Sequence, residues 1–335
     1  MAATIKDIAK QTGLGLATIS SYLNGGNVRE KNRVKIEAAI EELHYEVNVV
    51  ARGLKTNRTK TIGVVIPELN NIFCSEIITG IEDILRSHGY GTIICDCRTD
   101  EKLEKEAVDF LYKKRADGII NMPVDPTGTH LQPFQKADKP IVLIDRKIQG
   151  VEADSVLVDN KAAAQHAIEL LLRAGHTKIG LLGGPENVYT AQERYKGYKA
   201  AYEAAGLPWE ESWIHHGDYT IRGGVEGLEK LVRDTDVTAV FVVNYEMTMG
   251  AMIGVNELGI KISEELSVIG FDNLLFARAC RPKLTIVTQP TDEIAKHVAD
   301  IILMRLEGTE EEKAQAKKTV KLQTEIVEGK SIRDL

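Results

Sequence analysis

Residues 4–24, TIKDIAKQTGLGLATISSYLN, read as two short helices joined by a tight glycine turn. Thr4 can cap a helix that carries Ile5, Ile8 and Ala9 on one face, with Asp7 near its positive end and Lys10 further along. Gly13 ends that helix. A second, from roughly Leu16 to Tyr22, turns Leu16 or Ala17, Ile19 and Leu23 inward, and Asn24, Gly25 and Gly26 stop it. A third helix from Glu30 to Leu43 is expected to close a small core through Val34, Ile36, Ala38, Ile40 and Leu43. Arg29, Lys31, Arg33 and Lys35 lie at its start, where they can meet phosphates, so nucleic acid is the first partner this head implies.

Charge is distributed to match. Residues 1–60 hold ten Lys or Arg against six Asp or Glu, whereas the rest of the chain holds 32 against 43. The net charge of -7 discourages non-specific nucleic-acid binding by the body and leaves that contact to the head. With 335 residues and 43% hydrophobic content, the chain suits two or three domains. No apolar run approaches the ~18 residues of a membrane span, and the polar amphipathic start is unlike a signal sequence, so no membrane association and a cytoplasmic location are expected. Cys95 and Cys97 flank Asp96, and Cys74 and Cys280 stand alone; all four are expected to be reduced thiols. His215 and His216 have no companion cluster, so neither a metal nor a cofactor is expected.

Residues 48–54 can form one or two turns ahead of the polar stretch 55–60, too short to be stable without a partner helix or a DNA surface. From Thr61 the pattern becomes alternating strands and helices. TIGVVIP (61–67) is a strand, 73–86 a helix, 90–95 a strand, 101–114 a helix, GIINM (118–122) a strand and PIVLID (140–145) another. A second series follows: a helix at 160–173, KIGLLGG (178–184), helices at 192–205 and 221–233, AVFVV (239–243), a helix to Leu258, and LSVIGF (266–271). Two such series predict two lobes, each a parallel sheet wrapped by crossover helices.

Open parallel sheets bind ligands beyond the carboxyl ends of their strands. Asn70 and Asn71, Asp145 and Arg146, Asn244, and Asp272 with Asn273 all follow strands at such ends. Amides, carboxylates and a guanidinium suit a molecule rich in hydroxyls, and Phe73 and Tyr219 can cover the apolar face of a sugar ring.

The chain resembles the LacI/GalR family of bacterial transcriptional repressors over essentially its whole length. TIKDIAKQTGLGLATISSYLNG looks like that family's head motif, NVVARGLKTNRTKTIGVVIP like its hinge and first core strand, and VIGFDN with VTQP like its core signatures. The resemblance implies an all-α helix-turn-helix head and hinge, then an α/β core of two parallel-sheet lobes similar to a periplasmic sugar-binding protein. It places the head at 1–47, the hinge at 48–60, one lobe at 61–160 plus 291–320 and the other at 161–290 plus 321–335. It implies a homodimer on a near-palindromic operator, with a sugar or sugar-derived effector in the cleft changing the separation of the two heads. The alternative is a catabolite-control regulator that uses a phosphosugar or protein corepressor; a sugar-binding protein without a regulatory role ranks below both.

Carried over residue by residue, the DNA-contacting set is Thr4, Leu16, Ala17, Thr18, Ser20, Ser21, Asn24, Arg29, Lys31, Arg33, Ala51 and Leu54, the last resembling a hinge leucine that wedges into the minor groove. Gly15 departs from the usual capping serine, and Ser21 from a longer base reader. The effector set is Asn71, Phe73, Asp145, Arg146, Arg194, Tyr219, Asn244, Asp272 and Gln289. Ile72, Cys74 and Tyr245 depart from the family pattern, and three roles remain open for Tyr245: filling the cleft, stacking on effector or packing elsewhere. Asp145 and Asp272 invite comparison with glycosidase carboxylate pairs. Arg146 and Arg194 are expected to keep both ionised, and no nucleotide loop or metal cluster accompanies them, so no catalysis is expected.

Overall fold

A computed structural model describes residues 3–23, 25–45, 58–148 and 150–335, and the chain divides into two compact units, Met1–Lys60 and Thr61–Leu335. In the first, α1 (Ile5–Thr12), α2 (Leu16–Leu23) and α3 (Glu30–Glu42) surround Ile8, Ile19, Ile36 and Ala39, each at most 2% exposed. At the start of α1 the Asp7 carboxylate accepts from the Thr4 backbone N–H at 2.8 Å and from its hydroxyl at 2.6 Å. Those bonds, the hydroxyl one foremost, hold the Asp7 carboxyl below the usual carboxylate range. Gly13 closes the helix in the left-handed region, φ 67°, its N–H reaching the Ala9 carbonyl.

The head core differs from expectation at four positions. Val34 is 57% exposed and Ala38 is exposed, because each lies two residues from Ile36 and so on the opposite face of α3; Ala39 takes the inward place. In α2 only Ile19 is fully buried, while Leu16 and Ala17 point to solvent.

The second unit holds two six-stranded sheets. The first has the order β11-β5-β4-β3-β1-β2, from β1 (Thr61–Ile66), β2 (Gly91–Asp96), β3 (Gly118–Asn121), β4 (Ile141–Ile144), β5 (Asp154–Val158) and β11 (Thr319–Leu322). All its pairings are parallel. The second has the order β12-β10-β9-β8-β6-β7, from β6 (Ile179–Gly183), β7 (Ile214–His216), β8 (Ala239–Val242), β9 (Ser267–Phe271), β10 (Thr285–Thr288) and β12 (Glu325–Val327). It is parallel except where β12 runs against β10. The chain therefore passes between the sheets after β5, after β10 and after β11. Because β11 belongs whole to the first sheet, the last passage falls after Leu322.

Both sheets are covered by apolar helix faces, as doubly buried parallel strands require. The helix Thr291–Glu307 packs on Ile72–Ser87 over the first sheet. In the second lobe Ile221–Asp234 and Tyr245–Leu258 approach closely because glycine faces backbone: a Cβ on Gly250 would lie 1.9 Å from the Ile221 carbonyl oxygen. Cys74 and Cys97 are buried, Cys95 and Cys280 half-buried, and burial pushes the Cys97 thiol up to about 12. Among the described residues no helix is long and apolar enough to cross a membrane.

Candidate functional site

The carboxyl ends of both sheets open on one cavity of about 200 Å³. Asn71 and Phe73 come from the exit of β1, Asp145 and Arg146 from β4, Tyr219 from β7, Asn244 from β8, Asp272 from β9 and Gln289 from β10. Arg194 enters from the helix Tyr189–Ala205. All nine residues of the expected effector set line this cavity. Asp145, Tyr219 and Asp272 have φ of 65°, 64° and 69°, the left-handed region that non-glycine residues seldom occupy. Three such residues at three strand exits mark a site where backbone strain aims side chains. Gly184 leaves the room that the Tyr219 ring fills; a Cβ there would lie 2.2 Å from the ring.

Several side chains are held before any ligand arrives. Asn71 and Asn244 each cap a helix, accepting from Cys74 N–H at 3.0 Å and Met247 N–H at 3.2 Å, so their amide NH2 groups are directed away from those helices. Both NH2 groups donate to Glu246, at 2.9 Å to Oε1 and 2.7 Å to Oε2. Arg194 is 4% exposed, donates from Nε to Asn160 Oδ1 at 2.8 Å and to the Val243 carbonyl, and lies 3.8 Å above the Phe271 ring centroid. Gln289 donates to Asp272 Oδ1 at 2.7 Å, leaving its own buried Oε1 without a hydrogen-bond partner; Arg146 Nε is in the same position, 3.7 Å from Asp145. A buried acceptor and a buried donor beside the cavity are what a hydroxyl group would satisfy.

Electrostatics depart from the expectation that the arginines keep both aspartates firmly ionised. Burial raises the Asp145 carboxyl, opposed by Arg146 and Arg194. Burial likewise raises Asp272, to about 6, against Arg194 and the Gln289 bond. Desolvation outweighs the guanidinium charges here because both carboxyl groups are withdrawn from water; Arg146 also donates to the Pro123 carbonyl at 3.0 Å and Arg194 to that of Val243.

Sequence reasoning missed Glu246, Glu68, Asp218 and Thr190, all of which line the cavity. An available signal was Glu246 in the first turn after the cap Asn244. Tyr245 instead packs edge-on against Phe276, centroids 5.8 Å apart, and does not line the cavity. Also unread was the buried cluster behind β3: Glu104 accepts from Asn121, Val124 N–H and Asp125 N–H, and His130 bridges Asn121 and Asp125. It fixes the loop whose Pro123 carbonyl holds Arg146.

On the head, Thr4, Leu16, Ala17, Arg29, Lys31 and Arg33 are exposed, and Thr18, Ser20 and Ser21 half-buried. Arg33 Nε and the Tyr22 hydroxyl both donate to Glu37 Oε1 at 2.9 Å, so Arg33 is held along α3 and would have to leave Glu37 to take a phosphate. Asn24, Ala51 and Leu54 lie outside the described residues.

Comparison with known proteins agrees with both units. Residues 59–325 match the family described as periplasmic binding proteins and sugar binding domain of the LacI family, and residues 4–48 match bacterial regulatory proteins of the lacI family. Catabolite control protein A of Priestia megaterium is 37% identical over 297 residues, spanning 88% of this chain and 90% of that protein. The HTH-type transcriptional repressor PurR of Vibrio vulnificus (strain CMCP6) is 34% identical over 314 residues, spanning 93% and 94%. The solved complex of the transcriptional regulator CelR with cellobiose matches with a TM-score of 0.74 at 27% identity, covering 98% of this chain and 99% of that one. The chain therefore belongs to the LacI family of bacterial regulators, which makes it a DNA-binding repressor modulated by a small-molecule ligand rather than an enzyme.

Proposed function

We propose that this protein binds a near-palindromic operator as a homodimer and that a sugar or sugar-derived effector in the cleft controls its grip. The convergence of nine polar and aromatic residues from seven separate segments on one cavity carries this reading. Phe73 and Tyr219 offer apolar faces, while Asp145, Asp272, Asn244, Arg146 and Gln289 offer donors and acceptors around them. The cavity of about 200 Å³ lies below the ~300–1,000 Å³ of drug-sized sites, which suits a monosaccharide. The related CelR was solved with cellobiose, in line with a saccharide class. Occupancy changes operator affinity only by as much as the ligand prefers one state of the core over the other. Exposed Leu16 and Ala17 are the base-edge candidates of the recognition helix, chiefly for thymine methyls.

The similarity to catabolite control protein A favours a second reading in which a phosphosugar or a protein acts as corepressor. One experiment separates the two: operator affinity by fluorescence anisotropy at fixed salt, against pentoses, hexoses, sugar acids and phosphosugars. The sugar-switch reading predicts that at least one sugar changes the operator dissociation constant by about tenfold or more, a coupling of ordinary size. If no member changes it and none binds the core, that reading fails. Asp272→Ala should abolish the response while leaving ligand-free operator affinity intact; unchanged ligand affinity would remove Asp272 from direct contact.

A further inference from the structure

Among the described residues, Glu246 is the one side chain of the cleft that ties its two walls together through both carboxylate oxygens. Oε1 accepts from Asn71, which follows β1 of the first sheet, and Oε2 from Asn244, which follows β8 of the second. It thereby occupies the place where a ligand bridging the two lobes would hydrogen-bond, and when ionised it does so as a pure acceptor. Around it stand Glu68, Asp145, Asp218 and Asp272, against Arg146 and Arg194 as the only guanidinium groups lining the cavity among the described residues. Arg194 is committed to Asn160, the Val243 carbonyl and the Phe271 ring, and Arg146 keeps one buried N–H unpaired, so two guanidinium groups face the five carboxyl groups Glu68, Asp145, Asp218, Glu246 and Asp272. A phosphate cradle needs the opposite balance, converging donors with a surplus of positive charge.

We propose that Glu246 is the specificity-determining residue of this cleft, admitting ligands that bring hydroxyl or ammonium donors to the Asn71–Asn244 side and rejecting those that bring a phosphate or carboxylate there. The inference rests on the sugar reading above and narrows it to unphosphorylated neutral or amino sugars. A donor pair from the ligand replaces the two amide N–H groups on Glu246 one for one, and each released amide is free to bond a ligand oxygen. An anion leaves both amides on Glu246 and adds like charge to the same wall, which is discrimination by an unfavourable contact. Burial, with Asp272 and Glu68 nearby, raises the Glu246 carboxyl to about 7, against the Asn71 bond. The rejection therefore weakens as pH falls through neutrality and the carboxylate takes up a proton.

Isothermal titration calorimetry on the full chain tests this with ribose, glucose, glucosamine, glucuronate, ribose 5-phosphate and glucose 6-phosphate, against wild type, Glu246→Gln and Glu246→Asp. In wild type at pH 8 a parent or amino sugar should bind about tenfold or more tighter than its anionic counterpart. Glu246→Gln, which keeps the size and one acceptor, should narrow that gap to about threefold, whereas Glu246→Asp, which keeps the charge, should retain most of it. Between pH 8 and pH 6 the gap for glucuronate, whose own carboxylate stays ionised, should shrink in wild type and shrink clearly less in Glu246→Gln, where Asp272, raised to about 6, still takes up a proton at the low end. Anionic sugars that bind wild type as well as their parents, or a gap that Glu246→Gln leaves intact, overturn the proposal. Should the Gln variant not fold, a wild-type gap independent of pH overturns it equally. If no sugar binds any of the proteins, the sugar reading itself fails and this inference with it, an outcome distinct from sugars that bind without discrimination.

Discussion

The three-helix head and the cleft of the core both present polar side chains, but under opposite conditions. On the head, Thr4, Arg29 and Lys31 stand in water on elements a few residues apart in the chain, and the supporting core is four side chains deep. In the cleft, groups from Asn71 to Gln289 are brought together by two sheets, partly or wholly buried, three of them on strained backbone. In the function proposed above, the head's groups exchange water for phosphate, a long-range, salt-sensitive interaction. The cleft's groups have already lost water, so each is paired, neutralised in part or left with an unmet bond for a ligand to fill. A regulator needs both, an output that binds by charge and contour and an input that binds by directed hydrogen bonds.

The sharpest way to break that contrast is to remove support from the head alone. Ile36→Ala empties part of a core made of Ile8, Ile19, Ile36 and Ala39, and should cost roughly 2–5 kcal/mol of head stability. Operator binding should be lost while ligand binding and the main thermal transition of the core persist; calorimetry with anisotropy on the same sample would show it. Parallel loss of both would mean that the core depends on the head.

A smaller effect is expected at the helix contact behind the cleft. Gly250→Ala forces a methyl against the Ile221 carbonyl, and overpacking of this kind costs about 1–3 kcal/mol. Because the same helix begins at the cap Asn244 and carries Glu246, ligand affinity should fall with stability, with ligand-free operator affinity retained. An unchanged ligand affinity would show that the start of this helix is placed independently of its packing.

The smallest is a pH effect. A carboxyl raised on folding contributes stability that is fully present below its unfolded value and is lost as pH rises through its folded value. For Asp272 that window runs from 3.8 to about 6, and for Glu246 from 4.5 to about 7, so both make the core less stable at pH 7.5 than at pH 5. Asp272→Asn, which can still accept from Gln289, should raise the melting temperature at pH 7.5 by about 2–4 °C and flatten its dependence between pH 4 and 6. A variant with the wild-type pH profile would place the titration elsewhere.

Much of this was legible along the chain. The helix pair, the two βα series and the polar residues at the strand ends follow from periodicity and local chemistry, and the nine residues expected around an effector do meet in one cavity. The strands β5, β7, β10, β11 and β12 have no readable signature along the chain, being three to five residues long and ordered by their neighbours more than by their own pattern. Val34 and Ala38 were assigned inward because apolar character alone says nothing about which face of α3 meets the others. Glu246 was passed over because its two partners lie two and 175 residues away, and only the second makes it a link between walls.

By itself the sequence determined what is encoded over a few residues: the capped α1, the glycine stops, the alternation of strand and helix, and the chemical types waiting at each strand end. Backbone geometry and near-neighbour hydrogen bonds act over that range, so no partner is needed to express them. Tertiary structure alone decided which of those ends converge, that Arg194 is committed to Asn160 and Phe271, and that Asp145, Asp272 and Glu246 hold their protons more tightly than free carboxyls do. Desolvation and cross-lobe pairing depend on what is packed around a group, and that is set by contacts between residues far apart in the chain.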